Sequence, residues 1–316
     1  MEGANQTEVT EFILMGFSAS PELQWILFVM FLIIYLLTLA TNTSIIVIVR
    51  SCPSLHCPMY VLLSNLSFLE IWYTSVTVPK LLAGLLPGNR SISVRGCITQ
   101  MFFFFSMGST EFFLLAVMAY DRYLAICHPL CYSTIMWNIL CLKLSVVAWV
   151  SGFLASSVLT VFVSRLSFCG PNEIDHFFCD FVPLAKLSCS DTDTHRLEVT
   201  AFISSSIFTL PPFLLTLASY IHIIATILQI PSTTGKQKAF STCSSHLSVV
   251  TIYYGSLIIV YMLPDTNRLR SLNKEFSVFY TILTPLVNPL IYSLRNNAVK
   301  GALWKALSKL VPITRI

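Results

Sequence analysis

Asp121 and Arg122 stand side by side in Met118-Ala119-Tyr120-Asp121-Arg122-Tyr123-Leu124, directly after Phe112 to Tyr120, a stretch without a single charge. An ion pair where an apolar run meets water is costly to keep without partners or a task, so it reads as a functional element before it reads as a solvated surface pair. Two further carboxyls lie deeper. Glu111 precedes Arg122 by 11 residues, about 16 Å along a helix, and Glu70 interrupts another apolar run. Acids inside a membrane usually face the bundle interior, so Glu70, Glu111, Asn42 and Asn288 form a candidate cation or water site, a sodium ion being the one metal it suggests. The plainer alternative is a protonated carboxyl bonded to a neighbouring helix. Enzymatic chemistry is disfavoured. His56, His128, His176, His195, His222 and His246 lie on different segments, with neither metal-ligand spacing nor a nucleophile beside a base, and nothing asks for a cofactor.

The elements that must hold these residues are apolar. Hydrophobic residues make up 55% of the 316, charged residues only 11%, and mean hydropathy is +0.75, where soluble domains carry roughly 25% charge. A membrane span needs about 20 predominantly apolar residues, and seven runs qualify, at about 25–49, 59–79, 97–122, 144–164, 199–230, 239–264 and 276–294. The expected fold is an all-α seven-helix membrane bundle over 25–294, with a tail at 1–24, a second tail at 295–316 and no separate soluble domain. The N-terminus lacks the basic region and early apolar core of a cleaved signal peptide, so the first span serves as its own insertion signal.

An odd number of spans puts the two ends on opposite sides. The first 24 residues carry four glutamates and no Lys or Arg, while the tail after Leu294 carries only basic residues, which favours an outer N-terminus. Loop Lys and Arg divide almost evenly between the sides, so the usual positive-inside rule adds little. In the tail, Val299, Ala302, Leu303, Ala306, Leu307 and Leu310 recur at helical spacing against Lys300, Lys305 and Lys309. That is the pattern of an amphipathic surface helix suited to an anionic inner leaflet. Asn5 and Asn89 head glycosylation sequons on the outer side. Cys97, Cys169, Cys179 and Cys189 also fall outside, where oxidising conditions would pair them, in any of three connectivities. Pro211, Pro212, Pro285 and Pro289 remove backbone donors and mark bends or hinges.

Several stretches together resemble rhodopsin-like G-protein-coupled receptors: Asp121-Arg122-Tyr123, Trp149, and Asn288-Pro289-Leu290-Ile291-Tyr292. Others narrow the resemblance to vertebrate odorant receptors: Leu55-His56-Cys57-Pro58-Met59-Tyr60, Met118 through Leu130, Ser219-Tyr220, Lys236 through Leu247, and Pro285 through Asn296. There are departures from the family pattern. Glu70 stands where Asp is common, Thr41 where Gly is usual, Cys57 where Thr is common, and Cys131 where Arg is frequent, the last weakening a G-protein contact.

The resemblance implies disulfides Cys97–Cys179 and Cys169–Cys189. It implies a switch in which Arg122 holds the inactive state through Asp121, then turns inward with Tyr220 and Tyr292 as the sixth span swings out. Asp121, Arg122, Tyr123, Tyr220, Asn288, Pro289 and Tyr292 would form this coupling machinery. A small volatile ligand is expected in the outer half of the bundle, among Phe104, Phe105, Gly108, Ser109, Ser204, Ser205, Ile207, Phe208, Tyr254, Leu257, Ile258, Tyr261, Val278 and Thr281. These are mostly apolar or aromatic with hydroxyl handles. Phe104 stands where similar amine receptors carry an acid, so a neutral ligand is expected over a charged amine. The implied partners are the bilayer and a stimulatory G protein of the olfactory type that raises cyclic AMP at the plasma membrane, and no nucleic acid. Two other readings compete: a receptor of this fold for a non-olfactory metabolite, and a channel or transporter using Glu70 and Glu111. The chain shows no internal repeat of the kind transporters carry.

Overall fold

The computed structural model describes residues 9–17, 20–169, 171–261, 274–295 and 299–301, and these are dominated by helix. In chain order the helices are α1 (Pro21–Ser51), α2 (Pro58–Leu85), α3 (Val94–Cys127), α4 (Tyr132–Ile135), α5 (Asn138–Val163), α6 (Phe181–Ala185), α7 (Asp191–Gln229), α8 (Thr233–Tyr261) and α9 (Thr284–Arg295), the last preceded by a π turn at Phe279–Leu283. Pro21 and Pro58 open their helices, where a missing N–H costs nothing. Five helices are long and apolar enough to cross a membrane: α1, α2, α3, α5, and α7 from Thr194. α8 is long enough but polar in its first half, which holds Lys236, Lys238, His246 and a run of Ser and Thr.

Helices outrun the apolar segments that announce them. α3 has 34 residues, about 51 Å of helix against a hydrocarbon core of about 30 Å, and α7 begins at Asp191 rather than near residue 199. Hydropathy marks only the stretch that must avoid water. The backbone stays helical past it until a turn signal intervenes. The outward faces are apolar as well: Trp25, Ile26, Val29 and Ile33 of α1 are all about half exposed or more, a pattern suited to lipid contact and a liability in water.

The chain forms two compact units. The first comprises Met1–Tyr35, Trp72–Thr110 and Trp149–Pro211, the second Leu36–Ile71, Glu111–Ala148 and Pro212–Ile316. The first holds a feature the hydropathy pattern does not suggest, a small sheet of β1 (Glu11–Leu14), β2 (Ser91–Ser93) and β3 (Glu173–Ile174) in the order β2-β1-β3. β1 runs antiparallel to β2 and parallel to β3. Phe12 and Leu14 point from β1 into a core with Met101, Leu159, Ile174 and Leu184, and Phe12 meets Phe168 edge to face at 5.1 Å. Disulfides join Cys97 to Cys179 and Cys169 to Cys189. Gln100 ties this loop down, its Oε1 accepting from Cys179 N at 3.0 Å while its Nε2 donates to Val76 O at 2.9 Å.

Helix contact in the first unit is closest at Gly152. A Cβ there would lie 2.1 Å from Thr110 Oγ1 and 2.7 Å from Ser106 O, so only glycine lets α5 approach α3 this far, the close backbone packing that small residues permit in membranes. The second unit packs Ile45, Leu62, Leu66, Leu115, Met118, Ile223, Val249 and Tyr253 into one core.

Candidate functional site

The charged pair sits in the second unit, at the last turns of α3. Asp121 is completely buried and Arg122 nearly so. Arg122 Nε donates to Asp121 Oδ2 at 3.0 Å, and its Nη2 closes a second contact to the same oxygen. The other oxygen, Oδ1, accepts from Tyr132 Oη on α4 at 2.8 Å. Burial and then the Asp121 carboxylate push the Tyr132 phenol above its ordinary value. It stays protonated and donates. Both carboxylate oxygens are thus engaged, which a buried charge requires. Beside them Tyr123 Oη meets His128 Nε2 at 2.9 Å.

On α7, Tyr220 is buried and its Oη lies 2.6 Å from Nδ1 of the buried His246 on α8, the two rings nearly parallel at 5.8 Å. His246 belongs to a buried row with Cys243, Val250 and Tyr253, spaced three and four apart as one helix face must be. That row is readable in the sequence. Tyr132 has no such local signal.

The acidic residues gather around the proline-bent last helix. Pro289 has no N–H, so the carbonyl four residues earlier, at Pro285, loses its helical donor. Asn42 Nδ2 replaces it at 3.1 Å, donating also to Thr38 O at 3.0 Å. Asn288 Nδ2 donates to Glu70 Oε1. Glu111 is fully buried with Tyr253 and Asn288 facing its carboxyl, beyond normal hydrogen-bond distance. The π turn just before Pro285, where Thr284 Oγ1 bonds Phe279 O at 2.9 Å, is of a kind found often at functional sites.

The residues expected to meet a ligand are placed as follows. In the first unit Phe104 is buried, its ring held by Tyr73 at 5.1 Å and Phe178 at 4.5 Å, while Phe105, Gly108 and Ser109 on the same helix are half-buried. On α7, Ser204 and Phe208 are half-buried but Ser205 and Ile207 are exposed, Ile207 at 60%. In the second unit Tyr254 is buried between Phe112 at 5.1 Å and Phe213 at 5.2 Å. Leu257 and Val278 are half-buried. Thr281 is fully buried, donating to Ser277 O at 2.7 Å. The side chains of Ile258, Tyr261 and Tyr292 lie outside the described residues, as do Asn5 and the proposed surface helix beyond Gly301. Pro289 is buried and Asn89 exposed.

A family profile described as olfactory receptor matches residues 31–310. The chain belongs to the olfactory receptor family. It is 51% identical to human olfactory receptor 11L1 over 309 residues, covering 98% of this chain and 95% of that one. It is 52% identical to human olfactory receptor 6B1 over 305 residues, 96% and 97% of the two chains, and 49% identical to mouse olfactory receptor 5P55 over 312 residues, 99% and 100%. As an olfactory receptor the chain is a seven-helix G-protein-coupled receptor of the plasma membrane, an odorant sensor and not an enzyme.

Proposed function

We propose that this olfactory receptor detects a small, neutral, mostly apolar volatile and activates a stimulatory G protein of the olfactory type, raising cyclic AMP. Its N-terminus faces outside, the side where the Cys97–Cys179 and Cys169–Cys189 bridges meet oxidising conditions. The ligand is held by the aromatic and hydroxyl side chains of Phe104, Phe105, Ser109, Ser204, Phe208 and Tyr254, with Leu257, Val278 and Thr281 contributing. Ser205 and Ile207, exposed on α7, contribute least. No acid stands among them, so a protonated amine has no counter-charge there.

The observation that carries the mechanism is the buried Asp121 carboxylate with Arg122 on one oxygen and Tyr132 on the other. It holds a resting state that an agonist shifts by binding the active state more tightly, a full switch needing about 5.5 kcal/mol of differential affinity. In the active state Arg122 turns toward Tyr220 and Tyr292. Tyr220 must then leave His246, so that 2.6 Å bond also belongs to the resting state. Glu70, Glu111, Asn42 and Asn288 surround a water molecule or sodium ion that follows the same equilibrium.

A cyclic AMP reporter screen of the expressed receptor against neutral and charged volatiles of matched size tests this reading. Neutral compounds should activate, and Arg122→Ala should abolish the response at equal surface expression. Activation by amines alone, or a response undiminished by Arg122→Ala, would overturn it.

A further inference from the structure

A separate cleft opens within the first unit, and none of the side chains assigned above to the odorant lines it. Its walls come from the N-terminal segment at Gly16 and Phe17, the last turns of α2 at Lys80 and Gly84, and from Arg90 and Phe177, around about 310 Å³ of free space that includes its mouth. That is the small end of the range for ligand pockets, roughly 300–1,000 Å³.

The cleft has a rigid apolar side and a cationic side. Phe17 stacks on Phe177 at 5.4 Å and on Phe31 at 5.8 Å, fixing one wall. Gly16 has a φ of +57°, a backbone state that glycine adopts without strain, and it turns the segment over the opening. A Cβ on Gly16 or Gly84 would meet nothing within 4 Å, so the space over both is open. Lys80 Nζ donates to Ser91 O at 2.6 Å and Asn89 O at 3.4 Å, which anchors the ammonium and leaves one of its three protons to give. Arg90 is held by its backbone, whose carbonyl accepts from Leu14 N at 3.0 Å, and no carboxylate among the described residues pairs with its guanidinium. The one acid whose charge is felt at Lys80 is Glu11 on β1. Two fixed cations therefore face one carboxylate beside an apolar wall.

We propose that this cleft is a second ligand site, which takes a small organic anion: a carboxylate with a short apolar tail, its head group between Lys80 and Arg90 and its tail against Phe17 and Phe177. Arg90 supplies the forked donors that match a carboxylate. The site is independent of the odorant assignment. It gives a receptor whose main ligand is neutral a separate response to short-chain acids.

The test is binding of hexanoate, hexanol and hexylammonium to the purified full-length receptor in lipid nanodiscs, for the parent chain and for Arg90→Gln and Gly84→Leu. Arg90→Gln removes one charge from a loop, and Gly84→Leu fills the open space. Hexanoate should bind a site weakened at least tenfold by each substitution, while hexanol and hexylammonium show no binding that depends on them. If Gly84→Leu lowers yield, the loop substitution Arg90→Gln decides alone. Hexanoate binding undiminished in Arg90→Gln, or hexanol binding reduced equally, would overturn the proposal.

Discussion

Asp121 illustrates how one carboxylate can define a conformational state. Desolvating it is costly, and breaking a buried pair by removing one partner leaves that cost uncompensated. Its two oxygens are divided between Arg122 and Tyr132, so the grip can be loosened in steps. Tyr132→Phe removes only the hydroxyl. A hydrogen bond to a charged group is worth about 1.5–3 kcal/mol, and losing it in the resting state alone should raise ligand-free cyclic AMP roughly tenfold or more, since 1.4 kcal/mol is a factor of ten. Basal signal equal to that of the parent receptor at matched surface level would show that Tyr132 does not brace the resting state. Tyr132 could not be found from sequence because it lies 11 residues from Asp121 on a four-residue helix, outside any periodic pattern. His246 was legible only as part of a motif, though its place in the buried row with Cys243, Val250 and Tyr253 was there to be counted.

At the scale of elements, two devices hold helices where side-chain burial alone would not. Gly152 lets α5 reach the α3 backbone, and Gly152→Ala would drive a methyl to within 2.7 Å of Ser106 O. Overpacking of this kind costs about 1–3 kcal/mol. The thermal midpoint of the solubilised receptor should fall by several degrees; an unchanged midpoint would mean the helices part without cost. Asn42 caps the carbonyl that Pro289 leaves free at Pro285. Asn42→Ala should destabilise the receptor by about 1–3 kcal/mol, the cost of an unsatisfied buried acceptor, measurable in the same melting assay. Asn42→Asp, which keeps the size but loses the donor when ionised, should not rescue it. Rescue by Asp would point to packing and not to the hydrogen bond.

For the whole molecule, the apolar runs marked the long helices because lipid imposes a length and a composition on whatever crosses it. Water imposes neither, so the helix ends at Leu85, Val94 and Asp191 were not legible. Nor was the β2-β1-β3 sheet, whose four-residue central strand exists only through partners some 80 and 160 residues away in the chain. The acidic residues were recognisable as interior groups from their depth alone. Their connection through Asn288 and the bent last helix was not, since it depends on which carbonyl a proline exposes. The switch at Asp121 and Arg122 unites these scales: two side chains, the helices that carry them, and a receptor with two states. The most direct measurement is ligand-free and agonist-driven cyclic AMP for Asp121→Asn at surface expression matched to the parent receptor. A raised ligand-free signal with a left-shifted agonist response is expected, because the amide cannot hold Arg122 by charge. Ligand-free and agonist responses both unchanged would contradict the assignment of this pair as the restraint on the resting state.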